Sequence, residues 1–431
     1  MATEYPPYQP IQASSWKAAE AKFLFDIVLG KMLQPEPRNP ADQLVPYLRA
    51  ANVQWSGISL SDVATMYASE GEIKSCSIIP GDLLVCEGGE VGRAAIYCGG
   101  LSDEAIIQNA LHRVRSKNGN NTRYLCYVLR HISWSGWFDV LCNKATIAHF
   151  TVDKFGELQI AYPEPQVQDI IADFLDSETT RLDTLISEKQ RLLNLLGDKR
   201  RAVIADFLTK GLNKDAPRRD SGIPWLGDIP AHWRIKRAKW LFTERDARSD
   251  SGDEELLTVS HLTGVTSRAE KDVNMFMAES LEGYKRCEAG DLVINTLWAW
   301  MGAMGIARQP GIVSPAYNVY QPVAQLDPEY VDLLVRTPRF VEEITRYSKG
   351  VWSSRLRLYP EGLYEAWLPV PPLDEQRAIV KHVQIETNKL DALAEATERT
   401  IALLQERRSA LISAAVTGQL SIRSQAEKVA A

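Results

Sequence analysis

Residues 105–138 contain no Asp or Glu, yet carry Arg113, Arg115, Lys117, Arg123 and Arg130. Asn118, Asn120 and Asn121 sit among them, and Trp134 and Trp137 follow. Residues 344–360 have the same character, with Arg346, Lys349, Arg355 and Arg357 beside Tyr347 and Trp352. Lysine and arginine neutralise phosphates, while arginine and side-chain amides form paired hydrogen bonds to base edges. Two such stretches in one chain point to nucleic-acid contact; solvated surface loops are the alternative. The candidates in the first half are Arg113, Arg115, Lys117, Asn120, Asn121, Arg123 and Lys144. Those in the second are Asn295, Trp298, Asn318, Lys349, Trp352, Arg355 and Arg357. Lysines are expected on phosphate, and arginines and amides on bases. For Trp298 and Trp300 a place in the core is the alternative.

Other chemistries leave no mark. "SPAY" (314–317) lacks the first residue of a methyltransferase (N/D)PP(Y/F) motif, and "GGEVG" (88–92) does not fit GxGxxG. There is no GxxxxGK[ST] loop, no paired-carboxylate nuclease cluster and no GxSxG or Cys/His constellation. The six histidines are isolated, and a lone histidine is more often structural than catalytic.

The 431 residues suffice for two or three domains. Hydrophobic and charged contents of 45% and 24% are those of a globular chain. With a net charge of −6, any nucleic-acid binding must use local basic faces. Cysteines at 76, 86, 98, 126, 142 and 287 form no CxxC pair, so neither a disulfide framework nor a zinc site is expected, and a reducing cytoplasm is. "MATEYPPYQP" does not read as a signal peptide. The apolar run at 292–307 is too short to span a bilayer and reads as buried strand and loop.

The elements that must hold these residues are written twice. "ETTRLDTLI" (178–186) recurs as "ETNKLDALA" (386–394), and residues 162–212 align without gaps on 370–420. Pro163, Gln168, Leu182, Asp183, Arg191, Leu195, Leu196 and Arg200 meet Pro371, Gln376, Leu390, Asp391, Arg399, Leu403, Leu404 and Arg408. Repetition settles the fold before any motif does. Each copy begins at proline and ends at glycine, in "TKGL" (209–212) and "TGQL" (417–420), which predicts one long helix of about 44 residues, roughly 65 Å. A helix that long needs a partner. Leu175, Leu182, Leu185, Leu193, Leu196, Val203 and Ile204 form one stripe, and Val383, Leu390, Leu393, Ile401, Leu404, Leu411 and Ile412 keep it apolar in the second copy. Two matched stripes predict an antiparallel coiled coil; two unrelated amphipathic helices are the alternative.

The segments ahead of the helices echo each other more faintly, through GDL triplets at 81–83 and 290–292 and through "NALHRVR" (109–115) on "PAYNVYQ" (315–321). The expected fold is therefore α+β, with two mixed α/β recognition domains and two long helices in an internal pseudo-twofold repeat. The expected boundaries are 1–160, 161–212, 213–368 and 369–431, with "NKDAPRRDSG" (213–222) as a basic linker.

"VPPLDEQRAIVKHV" (370–383), opening a long helix that closes in "ALISAAVTGQL" (410–420), resembles the specificity subunits of Type I restriction–modification enzymes. "SGIPWLGDIPAHW" (221–233) is similar to the segment that opens their second recognition domain; the first copy, "PEPQVQ" (163–168), departs from the pattern. The resemblance implies a non-catalytic chain with two target-recognition domains, each reading one half of a split, asymmetric DNA sequence. It implies paired helices that set the spacing, two docked methyltransferase subunits and added motor-nuclease subunits. S-adenosylmethionine, ATP and magnesium would belong to those partners. Outward residues such as Arg181, Arg191 and Arg399 are candidates for partner contact. Two rivals remain open: a fused enzyme with an unrecognised active site, and a protein-binding scaffold on a coiled coil.

Overall fold

The computed structural model describes residues 16–142, 149–270, 280–350 and 356–420. It divides into two compact units, one of the chain up to Lys189 together with the chain from Arg399, the other Gln190–Glu398. Each unit thus holds one head and a piece of both long helices.

Both heads carry the same four-stranded antiparallel sheet. In the first the order is Phe25–Leu29, Leu111–Ser116, Leu83–Cys86, Ala94–Ile96; in the second it is Phe242–Glu244, Tyr317–Pro322, Leu292–Asn295, Met304–Ile306. The GDL triplets explain part of this likeness. Gly81 and Gly290 adopt φ of 97° and 96°, a region glycine enters without strain. The turn brings Asp82 and Asp291 back to accept the N–H of Ile79 and Glu288, each at 2.8 Å. Both carboxylates are buried and neutralised by arginine: Arg115 grips Asp82 at 2.7 and 2.9 Å, and Arg245 meets Asp291 at 2.8 Å. Unpaired, either carboxylate would be a costly burial.

The long helices run Pro165–Lys210 and Leu373–Val416, 46 and 44 residues. Gln168 and Gln376, both buried, show why their starts repeat. Each Nε2 donates to the carbonyl of Pro163 or Pro371 at 2.9 Å. Each Oε1 accepts an N–H at the start of a head helix, from Asn121 at 2.9 Å and from Asp327 at 2.8 Å. Asn121 and Asp327 in turn cap helices Thr122–Trp134 and Pro328–Val335. The glutamine therefore ties each long helix to its own head. Gly211 and Gly418 close the helices with φ of 73° and 72°.

Within each unit the two helix segments run antiparallel. In the first, Leu175 shares a core with Ile412, Ala415 and Val416, and Asp183 pairs with Arg408 at 3.2 Å. In the second, Leu208 shares a core with Ile379, Val380 and Val383, Phe207 meets His382 edge-on, and Arg200 pairs with Asp391 at 3.0 Å. Asp183 and Asp391 are repeat equivalents, as are Arg200 and Arg408, so one ion pair is made twice with its partners exchanged. The same exchange appears at the heads: Tyr124 donates to the Val416 carbonyl at 3.4 Å, and Tyr330 to the Leu208 carbonyl at 3.3 Å.

The apolar seam is narrower than the sequence stripe. Leu175, Leu182, Leu196 and Val383 are buried, and Val203, Leu390, Leu404 and Leu411 are half-buried. Leu185 and Leu393 instead lie outside it, 41% and 48% exposed. Each sits three residues, about 60° of helix, beyond a seam leucine, and a two-helix contact covers only a narrow strip.

The expected linker is partly ordered. Arg218–Asp220 pairs with Asp228–Pro230, and "SGIPWLGDIPAHW" drives Trp225, Leu226, Ile229 and Trp233 into the second head's core beside Leu208. Among the described residues the cysteines at 76, 86, 98, 126 and 287 are free. No described helix is long and apolar enough to cross a membrane.

Candidate nucleic-acid interface

The basic candidates of the first head split by strand geometry. Arg113 and Arg115 lie on the inner strand Leu111–Ser116 and face one side, since alternate residues do. Arg113 is 5% exposed and donates to the carbonyls of Ser75 and Ser77 at 2.7 and 3.0 Å and to Asp26 at 3.4 Å. Arg115 is committed to Asp82 and to the Ser77 carbonyl. Asn120 is buried, donating to the Lys117 carbonyl and accepting from Gln168. Asn121 is a helix cap and also meets Asp169 at 2.6 Å. Arg123 bridges to Asp173 and Asp176 on the first long helix, at 2.7 and 2.6 Å. Of the residues expected on DNA, Arg113 and Asn120 are buried in the framework, and Arg115, Asn121 and Arg123 are engaged in holding strand, turn and helix together. Lys117 is exposed, its Nζ on the Lys22 carbonyl. Lys144 lies outside the described residues.

The second head is more open. Lys349 and Arg357 are exposed and form an antiparallel bridge. Trp352 and Arg355 lie outside the described residues. Asn295 is buried, its Oδ1 accepting the Leu297 N–H. Asn318 accepts from the buried Lys285 and donates to Tyr320. The run at 292–307 is buried along its two strands and at Thr296, Ala299 and Ala303 between them, where Leu297, Trp298 and Met301 make an exposed tip. Trp298 is 51% exposed, with Leu297 and Met301 exposed beside it, while Trp300 is half-buried.

That tip is rigid. Trp298 N–H donates to Asn295 and Ala303 N–H to Trp298; Gly302 closes it at φ 90°. The Leu358 N–H donates to the Thr296 carbonyl, which sets Arg357 alongside. No Asp or Glu occurs between Asp291 and Asp327, so the tip itself carries no acid to repel a polyanion. Sequence reading singled out Trp298 but missed Leu297 and Met301, whose exposure a hydrophobic run conceals. The matching turn of the first head, Glu87–Gly92, is acidic and glycine-rich, with Glu90 engaged by Arg93 and Trp55. The two heads share a sheet and differ at its tip.

Among the described residues no His, Cys, Asp and Glu group could hold a metal ion. Residues 14–195 match the Type I restriction modification DNA specificity domain. Across 96% of its length the chain is 22% identical to the Type I restriction enzyme EcoBI specificity subunit of Escherichia coli, covering 88% of that protein. Over residues 14–195, and more distantly along nearly its whole length, the chain is similar to the Type I specificity subunits. It is also 20% identical, over 95% of its length and 94% of the relative, to the putative type I restriction enzyme MjaX specificity subunit of Methanocaldococcus jannaschii. The fold is that of solved specificity subunits. A chain described with complex assembly and conformational transition of the type I R-M system aligns over 96% of this chain and 100% of its own, with TM-score 0.68 and 15% identity. The HsdS subunit from Thermoanaerobacter tengcongensis aligns over 96% and 99%, with TM-score 0.56 and 16% identity.

Proposed function

We propose that each head reads one half of a split, asymmetric DNA sequence, and that the two long helices fix the gap between the halves and dock two methyltransferase subunits. Motor-nuclease subunits join to make the restriction complex. This chain is non-catalytic and cytoplasmic, and S-adenosylmethionine, ATP and magnesium bind to its partners. In functional terms residues 1–160 and 213–368 are the readers, and 161–212 and 369–431 the spacer. The observation that carries the reading is the repeat itself: one sheet and one glutamine lock built twice on antiparallel helices, with the two sheet tips left unlike. In the second reader the Trp298 tip with Lys349 and Arg357 meets DNA; Trp352 and Arg355 extend that set, and Lys117 and Lys144 lie on phosphate in the first. Arg181, Arg191 and Arg399 are partner-contact residues.

Methylome sequencing of cells with and without the chain tests this. A two-part methylated motif that vanishes with the gene is expected. An unchanged methylome, or DNA methylation or cleavage by the purified chain alone, would overturn the reading.

A further inference from the structure

The chain writes "AKFLF" at 21–25 and "AKWLF" at 238–242. In both units this segment is the single turn leading from the strand paired ahead of the long helix, Lys17–Glu20 or Arg234–Arg237, into the edge strand of the sheet. The turn is pinned alike: Ala21 N–H donates to the Leu158 carbonyl at 2.9 Å, and Ala238 N–H to the Ala366 carbonyl at 2.8 Å. Its alanine, leucine and last phenylalanine are buried in both copies. The middle aromatic is not: Phe23 is 63% exposed and Trp240 66%. A lysine ammonium lies 5.3 Å from the Phe23 ring centre, and another 5.5 Å from Trp240.

The fold asks only for an outward-pointing residue here, and any polar side chain would serve. A large aromatic kept in water at both copies of one position marks a contact surface. Repetition says which kind. Surfaces that read an asymmetric sequence must differ between heads, as the Trp298 tip differs from the Glu87–Gly92 turn. Surfaces that meet two copies of one protein must recur.

We infer that Phe23 and Trp240 are equivalent docking knobs, each seated in an apolar pocket of one methyltransferase subunit. DNA does not suit the site. The Lys22 ammonium is held by Glu20 with Asp153 and Glu157 acting on it, an acidic setting that repels a polyanion, and a site that recurs unchanged cannot read the two unlike halves of an asymmetric sequence. The inference rests on the function proposed above.

The full chain, copurified with the methyltransferase subunit of its own system, supplies the test. Two copies should bind the unaltered chain. Phe23→Ala or Trp240→Ala should weaken one of the two binding events about tenfold or more, the double variant both, and Phe23→Trp should bind as the parent does. Both side chains are exposed, so circular dichroism melts should not move. Two copies bound at unaltered affinity by the double variant would overturn the inference and leave the proposed function standing. Loss of DNA binding with the two-to-one complex intact would also overturn it. A parent chain that captures no methyltransferase would remove the proposed function and the knobs with it.

Discussion

Gln168, buried at 1% exposure, closes three hydrogen bonds, to Pro163, Asn120 and Asn121. Gln168→Leu should cost about 3 kcal/mol, since buried donors and acceptors lose their partners, and calorimetry should show the melting temperature fall by about 5 °C or more. His112 makes a second residue-scale prediction. Burial lowers its pKa from the ordinary 6.5 to about 4, despite Nε2 lying 2.6 Å from the Phe150 carbonyl. The folded chain therefore keeps this imidazole neutral while the unfolded chain protonates. Stability from this group is complete above pH 6.5 and is lost as pH falls towards 4, by roughly 3 kcal/mol at most. The aligned position in the second half is Asn318. Thermal melts of His112→Asn at pH 7 and 4.5 should show a smaller pH loss than the parent; an equal loss would refute the assignment. Residues were also where the sequence was least legible. Arg113 and Lys117 look alike in a basic stretch, and only the point where the inner strand Leu111–Ser116 ends separates a buried guanidinium from an exposed ammonium.

At the scale of elements, the long helices were legible because 3.6-residue periodicity, proline starts and glycine stops agree, and because charges recur with the leucines. What the stripe could not give was its width, which depends on how closely the partner helix approaches; hence Leu185 and Leu393 in solvent. The ion pairs Asp183–Arg408, half-buried on the arginine side, and Arg200–Asp391, exposed, should each contribute only about 0.2–1 kcal/mol in a double-mutant cycle. Gly418→Ala should cost about 1 kcal/mol by forcing a side chain into the left-handed region, read as a lower urea midpoint with unchanged slope. The "AKFLF" and "AKWLF" turns stood in the sequence too. They escape an ungapped alignment anchored on the helices, because the heads differ in loop length.

For the molecule as a whole, each unit is completed by the end of the helix that follows the other head, through Tyr124 on Val416 and Tyr330 on Leu208. A fragment comprising residues 1–217 carries one head and one long helix, and the equivalence of Leu208 with Val416 lets a second copy supply the missing end. Light scattering should find it as a dimer; a stable monomer would count against the exchange. The proposed gap-setting role is tested at the same scale. Shortening or lengthening both helices together by one heptad should alter the spacer tolerated between half-sites while the bases read stay the same, measured by methylation of targets with graded spacers.

Trp16 and Leu420 pack on the same core, that of the first unit. The two extremities of the described chain therefore meet in one place, and the path through the molecule is in effect a loop with an arbitrary opening. A gene rearranged to begin at Lys214, with a short peptide joining Leu420 back to Trp16, would visit the same elements in a rotated order and build the same two units.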